Sequence, residues 1–315
     1  MGNLNRVDSD VDKFEIIELN ETEKLLTHPG YDNNKPTVVY VYGFNEKFKS
    51  KSTQTLVESY IERGDHNILV VEWAKYNRGS YPYFVIPNTQ KIGEIIGKVL
   101  LRMNKSGFKL ENFHLVGHSA GGQLVGATGR NYKIFSNDEF EITRITALDP
   151  ASPDFNDPDV EVVLISKNDG KFVDIIHTDS SLFGDDDSVG TVDFFPNGGR
   201  DQPGCVGLPE DFCSHQRSWQ FYSESVRSKN VEIFNSVSCL SWENFKKNEC
   251  EIIQKDVFMG IDADPQLAGN FFLQTNDQAP FNRGENGTSY QISYKEPNER
   301  NPNAFTNFFE LMKFP

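Results

Sequence analysis

Two glycines bracket a serine in the part of this 315-residue sequence with the clearest chemical potential. Residues 117–121 read G-x-S-x-G; they follow the apolar run 113–116 and open a segment of small residues, 121–129. In a strand–turn–helix unit this pattern puts the serine on a sharp turn, where glycines keep Cβ atoms out of the crowded backbone. The N-terminus of the following helix stabilises negative charge near the serine oxygen. The pattern therefore predicts that Ser119 is a nucleophile.

A serine hydroxyl of this kind needs a general base, and the base needs an acid that orients it. In this architecture the chain order is serine, acid, histidine. Of the six histidines, His177 and His215 follow Ser119 in the sequence. Three candidate acids also follow it: Asp149, Asp174 and Asp179. Asp149 is favoured because it comes directly after a predicted strand, whereas spacing alone does not choose between the two histidines.

The elements that would hold these residues alternate between strands and helices. Five runs rich in β-branched and aromatic residues predict buried strands: 37–42, 67–73, 113–117, 142–148 and 172–176. Helical spacing of apolar residues follows the first run, near 55–61, and the second, from about 88 to 103. Such alternation predicts an α/β fold with a mostly parallel central sheet and helices on both faces. Residues 1–34 are interpreted as an N-terminal arm, 35–281 as the α/β domain and 282–315 as a polar tail.

The composition limits the partners of the chain. The formal net charge is −15, from 46 acidic and 31 basic residues. A surface this acidic repels phosphate backbones, so nucleic-acid binding is not expected. The charge also disfavours electrostatic adsorption to anionic membranes, and membrane contact is expected to be transient at most. No run of roughly eighteen uncharged apolar residues is present, which excludes a transmembrane helix in this sequence.

The cysteines favour an oxidising compartment. They form two close pairs: Cys205 with Cys213, and Cys239 with Cys250. Because neither a CxxC motif nor a histidine at zinc spacing accompanies them, two short disulfide loops are expected. Three glycosylation sequons agree with this: Asn20, Asn104 and Asn286. The N-terminus has no apolar signal core, so we expect an extracellular protein whose signal peptide is not part of this chain; the alternative is an intracellular protein with reduced thiols.

Several stretches resemble the animal pancreatic-lipase family, which includes triacylglycerol lipases, phospholipases A1 and insect lipase-like yolk proteins. The stretches that carry the resemblance are 116–122, 145–153, 172–179, 192–199, 213–218 and 271–276. They occur in the family's order, and the resemblance covers about residues 35–281. The resemblance implies the α/β-hydrolase fold. It also implies a secreted carboxylic-ester hydrolase that acts on lipids or small esters through an acyl-enzyme, without a cofactor.

The resemblance assigns roles that spacing leaves open. It implies a triad and two backbone oxyanion donors: Ser119, Asp149 and His215, with the N–H groups of Phe44 and Ala120. Phe44 lies on the turn after the first strand and Ala120 follows the nucleophile, as an oxyanion hole requires. By the same resemblance His177 is a structural histidine.

The chain departs from the family at the oxyanion turn and in the calcium loop. The family's turn usually begins with histidine, whereas Tyr42 precedes Gly43 and Phe44 here. The backbone donors are kept, but the packing that aims them is altered. A non-catalytic lipid-binding or yolk-type storage protein therefore stands as the alternative function. In the calcium region the chain offers Glu161 and Asp169, and no metal is expected.

The segment that would cover the site is short. Cys205 and Cys213 enclose seven residues, 206–212, too few for an amphipathic flap that opens at an oil surface. This resembles the phospholipase-A1-like branch and favours phospholipid or small esters over triglyceride. Four apolar residues nearby are expected either to contact acyl chains or to anchor their loops: Leu182, Phe183, Leu208 and Phe212. Because the sequence ends at Pro315, neither a C-terminal β-sandwich nor a colipase partner is expected.

Overall fold

A computed structural model describes residues 3–152, 162–180, 182–205, 212–229, 233–250 and 256–291. Within these residues, eleven strands form one sheet. In chain order they are β1 (Asn3–Val7), β2 (Phe14–Glu18), β3 (Thr37–Val41), β4 (Asn67–Glu72), β5 (Phe113–His118), β6 (Arg144–Leu148), β7 (Val173–Ile176), β8 (Val192–Pro196), β9 (Asn235–Ser238), β10 (Val257–Phe258) and β11 (Gly269–Leu273). The α-helices of the same residues are α1 (Lys51–Arg63), α2 (Ile86–Lys105), α3 (Ala120–Phe135), α4 (Cys213–Arg227) and α5 (Trp242–Lys246). A π-helical turn, Tyr81–Val85, leads directly into α2.

The strands lie in the order β10-β9-β11-β8-β7-β6-β5-β3-β4-β1-β2. Those from β11 to β4 in this order run parallel, and antiparallel strands flank them at both edges. Strands β3 and β7 are buried along their whole length. This burial explains the continuous apolar runs in the sequence, because a parallel sheet is covered on both faces. The predicted α/β-hydrolase fold is confirmed.

Successive residues of β6 face opposite sides of the sheet. A Cβ atom added to Gly129 of α3 would lie 2.5 Å from Ile145, and one added to Gly122 would lie 3.5 Å from Ala147. Successive side chains of a strand point to opposite faces, so Thr146 faces away from α3. The sheet therefore has α3 on one face and needs another layer on the other.

A buried polar network occupies the opposite face. The Asp174 carboxylate accepts hydrogen bonds from Arg144 Nε and Nη2, both at 2.9 Å, and from Thr146 Oγ1 at 2.8 Å. The Thr146 hydroxyl also lies 2.7 Å from His114 Nε2, and the His114 ring is 6.4 Å from the ring of Tyr222 in α4. Helix α4 thus covers this face, so helices lie on both faces as predicted.

Described segments of the predicted arm and of the predicted tail both contact the sheet. Strand β1 pairs antiparallel with β4, and β2 pairs with β1, so the segment interpreted as an arm adds two strands to the sheet, with β2 at its edge. Within the polar tail, Gly284–Thr288 forms a 3-10 turn whose Gly287 carbonyl accepts the Gln274 N–H at 2.8 Å. None of the helices in the described part of the chain has the length and apolar character needed to cross a bilayer.

Candidate active site

Ser119 occupies the sharp turn between β5 and α3. Its backbone has φ 56° and ψ −124°, a strained conformation for a residue with a side chain. A Cβ atom on Gly117 would lie 2.2 Å from Gly121 O, and one on Gly121 would lie 2.2 Å from Val41 O. Neither position can hold any residue but glycine without moving the backbone. The G-x-S-x-G pattern therefore marks the steric needs of this turn.

Asp149 begins the loop after β6, the strand next to β5. Its backbone N–H donates to Ile176 O at 2.8 Å, and its Oδ1 accepts the N–H groups of Thr178 (2.7 Å) and Asp179 (3.0 Å). The residue is fully buried. The Ser119 N–H donates to Leu148 O at 3.0 Å, so the serine is hydrogen-bonded to the residue before Asp149.

His215 lies in the first turn of α4 and pairs with Asp149. Its Nδ1 is 2.5 Å from Asp149 Oδ2. With Nδ1–H donating to the carboxylate, Nε2 carries the lone pair that a general base requires. Burial lowers the pKa of the His215 imidazole below its ordinary value of 6.5, although the Asp149 carboxylate opposes the shift. The neutral form is therefore the resting state near pH 7.

The second histidine that spacing left open occupies a different environment. His177 Nε2 lies 2.8 Å from an Asp193 carboxylate oxygen, and its Nδ1 lies 2.8 Å from Asp185 O. Burial tends to lower the pKa of His177, but the Asp193 carboxylate and the Asp185 carbonyl raise it overall. Both ring nitrogens face acceptors, which suits a protonated imidazolium and leaves no nitrogen to act as a base.

The turn after β3 faces the nucleophile. A Cβ atom on Gly43 would lie 2.9 Å from Ser119 Cβ, which places the Phe44 turn next to the serine. Ala120 is the first residue of α3, where the backbone N–H has no intrahelical acceptor. The two predicted oxyanion donors therefore approach Ser119 from adjoining elements.

Two side chains that the sequence analysis missed hold this turn. Glu46 Oε2 accepts the Gly43 N–H at 2.6 Å and lies 3.4 Å from His118 Nδ1, while Oε1 accepts the Ser52 hydroxyl. Asn77 Nδ2 donates to Gly43 O at 2.8 Å and to Glu46 O at 2.9 Å. Glu46 lies three residues beyond Gly43, but nothing in the sequence distinguishes Asn77 from an ordinary loop residue.

These contacts favour the charged form of the Glu46 carboxyl group. Burial by itself raises the pKa of the Glu46 carboxyl, but His118, the Ser52 hydroxyl and the Gly43 N–H lower it overall. The His118 ring also lies 4.8 Å from the His215 ring. The glutamate that holds the Gly43 turn is thus connected through His118 to the imidazole of His215.

Tyr42 has a structural role at the position where the family usually carries histidine. Its phenol donates to Glu72 Oε1 at 2.6 Å and accepts the N–H groups of Trp73 (3.0 Å) and Ala74 (3.1 Å). Its own carbonyl accepts the Trp73 indole N–H at 3.0 Å. Burial and the neighbouring Glu72 carboxylate raise the pKa of the Tyr42 phenol, so it stays protonated. Tyr42 ties the oxyanion turn to the end of β4.

The proposed acyl-contact residues lie beside His215 where the structure describes them. The Phe183 ring is 4.5 Å from the Phe212 ring and 5.6 Å from the His215 ring. Leu182, which precedes Phe183 in the sequence, is buried. Leu208 lies outside the described residues. The role of all four as acyl contacts stays a prediction.

Both expected disulfides are present. Cys205 bonds to Cys213 and Cys239 bonds to Cys250. The first bridge holds the N-terminal residue of α4, two positions before His215.

The site also contains carboxylates that could suit a cation. Ligand atoms of Asp149, Asp179 and His215 lie within 4.8 Å of one another. The hydrogen bonds of Asp149 to His215 and to two backbone N–H groups account for this closeness without an ion. In the region of the family's calcium loop, where no metal is expected, Asp169 receives two hydrogen bonds from Arg130 at 3.0 Å, and Glu161 lies outside the described residues.

Comparisons with known proteins show which proteins this chain is similar to. Lipase member H of Danio rerio is 33% identical over 240 residues, covering 71% of this chain and 51% of that protein. Pancreatic triacylglycerol lipase of Oryctolagus cuniculus is 30% identical over 296 residues, covering 84% of this chain and 62% of that protein. The matched part is thus between half and two thirds of the length of these relatives. The solved structure of MGS-M1, an α/β hydrolase from a deep-sea metagenome, has a TM-score of 0.35 at 13% identity. That match covers 56% of this chain and 69% of the other.

The model of the family described as Lipase matches residues 4–281, which is most of the chain and includes every residue of the site described above. The chain belongs to the Lipase family.

Proposed function

We propose that this chain is a carboxylic-ester hydrolase that acts on lipids by a Ser119–His215–Asp149 acyl-enzyme mechanism. The observation that carries the proposal is the 2.5 Å approach of His215 Nδ1 to Asp149 Oδ2, at the same sheet edge as Ser119. A neutral imidazole held by a buried carboxylate beside a serine on a strained turn is the arrangement that acyl transfer requires.

The proposed reaction has two steps: formation of an acyl-enzyme and its hydrolysis. Ser119 Oγ bonds to the ester carbonyl carbon while its proton moves to His215 Nε2. The N–H groups of Phe44 and Ala120 stabilise the negative charge on the carbonyl oxygen. The ester C–O bond then breaks, and His215 gives its proton to the departing alcohol. Water repeats the sequence on the acyl-enzyme and releases the carboxylic acid, while Asp149 stays ionised throughout.

Covalent labelling tests the nucleophile directly. A fluorophosphonate probe is expected to label the wild-type protein, and Ser119→Ala is expected to lose both labelling and hydrolysis of p-nitrophenyl butyrate. Ser188→Ala, which removes an exposed serine from a neighbouring loop, serves as the matched control. The proposal fails if the folded wild-type protein is neither labelled nor active on a short-chain ester.

The preferred substrates are phospholipids, cleaved at the sn-1 ester as by a phospholipase A1, or small esters, rather than triglycerides. The support is the short sequence separation of Cys205 and Cys213, eight positions, together with the rings of Phe183 and Phe212 near His215. A comparison of phosphatidylcholine, tributyrin and p-nitrophenyl butyrate tests this preference. A higher kcat/KM for tributyrin than for phosphatidylcholine would contradict it.

Secretion is part of the same proposal. The two disulfides support an oxidising compartment, and Asn20, Asn104 and Asn286 offer glycosylation sites. Secretion from cultured insect cells is expected to give glycosylated protein, detected by intact mass. The same protein is expected to have no free thiol, detected by iodoacetamide labelling.

A second candidate is a non-catalytic lipid-binding or storage protein. The observation that favours it is Tyr42 in place of the family's usual histidine at the oxyanion turn. Lipid that co-purifies with the chain, together with no ester turnover and no fluorophosphonate labelling, would select this function over hydrolysis.

A further inference from the structure

We propose that a surface beside the oxyanion turn docks onto bilayers that contain anionic phospholipid. Its members are two exposed aromatic residues and three exposed cations: Tyr83, Phe84, Lys75, Arg78 and Lys91. We call this set the aromatic–cationic rim. The inference rests on the proposed function, because it assigns the rim the task of bringing Ser119 to its lipid.

The aromatic pair is unusually exposed for its size. Tyr83 is 83% and Phe84 43% exposed, although their neighbours Tyr81, Pro82 and Val85 are buried. The π-helical turn is thus anchored from below and presents two rings to solvent. Aromatic side chains are enriched where a protein meets a membrane–water interface, and phenol groups suit the headgroup level.

The turn is continuous with the proposed catalytic machinery. The Tyr81 ring packs edge-on against the Phe44 ring, with centroids 5.0 Å apart. Tyr83 and Phe84 follow Tyr81 by two and three residues, so they lie next to the turn that supplies an oxyanion donor. A bilayer held by these rings would present its ester groups near Ser119.

The charge of this region opposes that of the whole protein. Residues 73–93 contain Lys75, Arg78 and Lys91 but no aspartate or glutamate, in a chain whose net charge is −15. All three cations are exposed, and none forms an ion pair with any residue that the structure describes. A Cβ atom on Gly79 would lie 3.9 Å from Phe84 Cδ1, so the residue that follows Arg78 in the chain lies against the Phe84 ring.

These features select an anionic lipid surface as the partner. Unpaired cations near a membrane attract acidic headgroups over about one Debye length, roughly 10 Å at 0.1 M salt. The rest of the acidic surface is repelled, so only an orientation with the rim facing the bilayer is favoured. Apolar insertion of the rings adds affinity that salt does not screen.

Vesicle flotation tests the proposal without requiring catalysis. The full chain carrying Ser119→Ala is mixed with vesicles of phosphatidylcholine and phosphatidylserine (4:1) or of phosphatidylcholine alone. Binding is expected to be roughly five- to tenfold stronger to the vesicles that contain phosphatidylserine, and this preference is expected to disappear in 0.5 M NaCl.

Two variants of the Ser119→Ala protein separate the components. Tyr83→Ser with Phe84→Ser is expected to weaken binding about tenfold to both vesicle types. Lys75→Gln with Arg78→Gln is expected to abolish only the preference for phosphatidylserine. Ile134→Ser with Leu240→Ser removes exposed apolar residues elsewhere and is the matched control. Near-UV circular dichroism and thermal midpoints establish that each variant is folded.

The outcomes are distinct from those of the ester-hydrolase test. Binding that is equal for the two vesicle compositions, or aromatic variants that bind like the control pair, overturns the docking surface even if the enzyme is active. Preferential binding with no esterase activity in the wild-type chain instead overturns the proposed function and leaves the docking surface standing. Capture of an acidic soluble protein in place of vesicles would also count against the proposal.

Discussion

The His215 imidazole and the Asp149 carboxylate form a fully buried pair, with Nδ1 2.5 Å from Oδ2. The other carboxylate oxygen accepts backbone N–H groups of Thr178 and Asp179, so it cannot rotate to change the pairing. A Cβ atom on Gly184 would lie 2.4 Å from Asp149 Oδ1, which shows how closely the chain encloses this group. One tautomer and one orientation of the imidazole are therefore imposed.

The first prediction concerns that tautomer. Asp149→Asn keeps the size of the side chain, but an amide N–H facing Nδ1 would move the ring proton to Nε2 and remove the base. We expect kcat for p-nitrophenyl butyrate to fall about 10⁴-fold. Asp186→Asn, an exposed acid on the neighbouring loop, is the control. Retention of a tenth of the activity in Asp149→Asn would show that this carboxylate does not orient the base.

The pH dependence of hydrolysis follows from the burial of His215. The imidazole accepts the Ser119 proton only when neutral, and burial lowers its pKa below 6.5. Protonation as the pH falls through that lowered pKa removes the base, so kcat/KM is expected to decline only below 6.5 and to be level at neutral pH. A profile with a soluble ester between pH 4.5 and 8 provides the measurement. An apparent pKa above 6.5 would contradict the assignment.

The local part of the site was predictable and the non-local part was not. The Ser119 turn followed from Gly117 and Gly121, because its steric requirements involve neighbours in the sequence. The choice of His215 over His177 depends on contacts between residues far apart in the chain, and spacing left it open. The resemblance to relatives favoured His215, and the hydrogen bonds of both histidines agree with that choice.

The strands show the same division. The run before Gly43 predicted β3, because a strand buried on both faces must be apolar throughout. The pairing of β1 with β4 could not be foreseen, because β1 contains Asn5 and Arg6, polar residues that are nevertheless buried in the fold. The clamp formed by Glu46 and Asn77 was missed for a related reason: Asn77 reaches Gly43 across 34 positions of the chain.

Glu46 provides a third prediction. Its carboxylate holds the Gly43 N–H, so Glu46→Gln, with one neutral oxygen in place of a charge, should loosen the turn that aims the Phe44 N–H. We expect kcat to fall about 10- to 100-fold with a smaller change in KM, because a displaced oxyanion donor affects mainly the transition state. The exposed Glu111→Gln is the control. If KM instead rises by the same factor by which kcat/KM falls, Glu46 has a substrate-binding role.

The difference in the free energy of unfolding between the wild type and Glu46→Gln should depend on pH. The folded-state pKa of Glu46 is lowered from 4.5, so the charged carboxylate stabilises the fold above that value and loses this contribution as the pH falls. The free energies of unfolding of wild type and Glu46→Gln, from urea titrations, should therefore differ at pH 7 and converge toward pH 3.

Tyr42→Phe tests the anchor of the same turn. The change removes the phenol oxygen that hydrogen-bonds to Glu72, Trp73 and Ala74. These groups then lack that hydrogen-bond partner. We expect the free energy of unfolding to decrease by about 1–3 kcal/mol in urea denaturation. Tyr83→Phe, which removes a hydroxyl from an exposed ring, should change it by no more than about 0.5 kcal/mol. Equal effects of the two changes would mean that the Tyr42 hydroxyl contributes nothing to the fold.

The two disulfides should differ in their effect on catalysis. They close segments of 8 and 11 positions, so losing either one is expected to cost a similar free energy of unfolding, about 2–3 kcal/mol. Cys213 is the first residue of α4, and His215 follows it by two positions, whereas Cys239 and Cys250 flank α5. Cys205→Ser with Cys213→Ser should therefore lower kcat/KM for a soluble ester well below that of Cys239→Ser with Cys250→Ser, measured at a temperature where both variants are folded. Equal activity of the two variants would show that α4 holds His215 in place without its bridge.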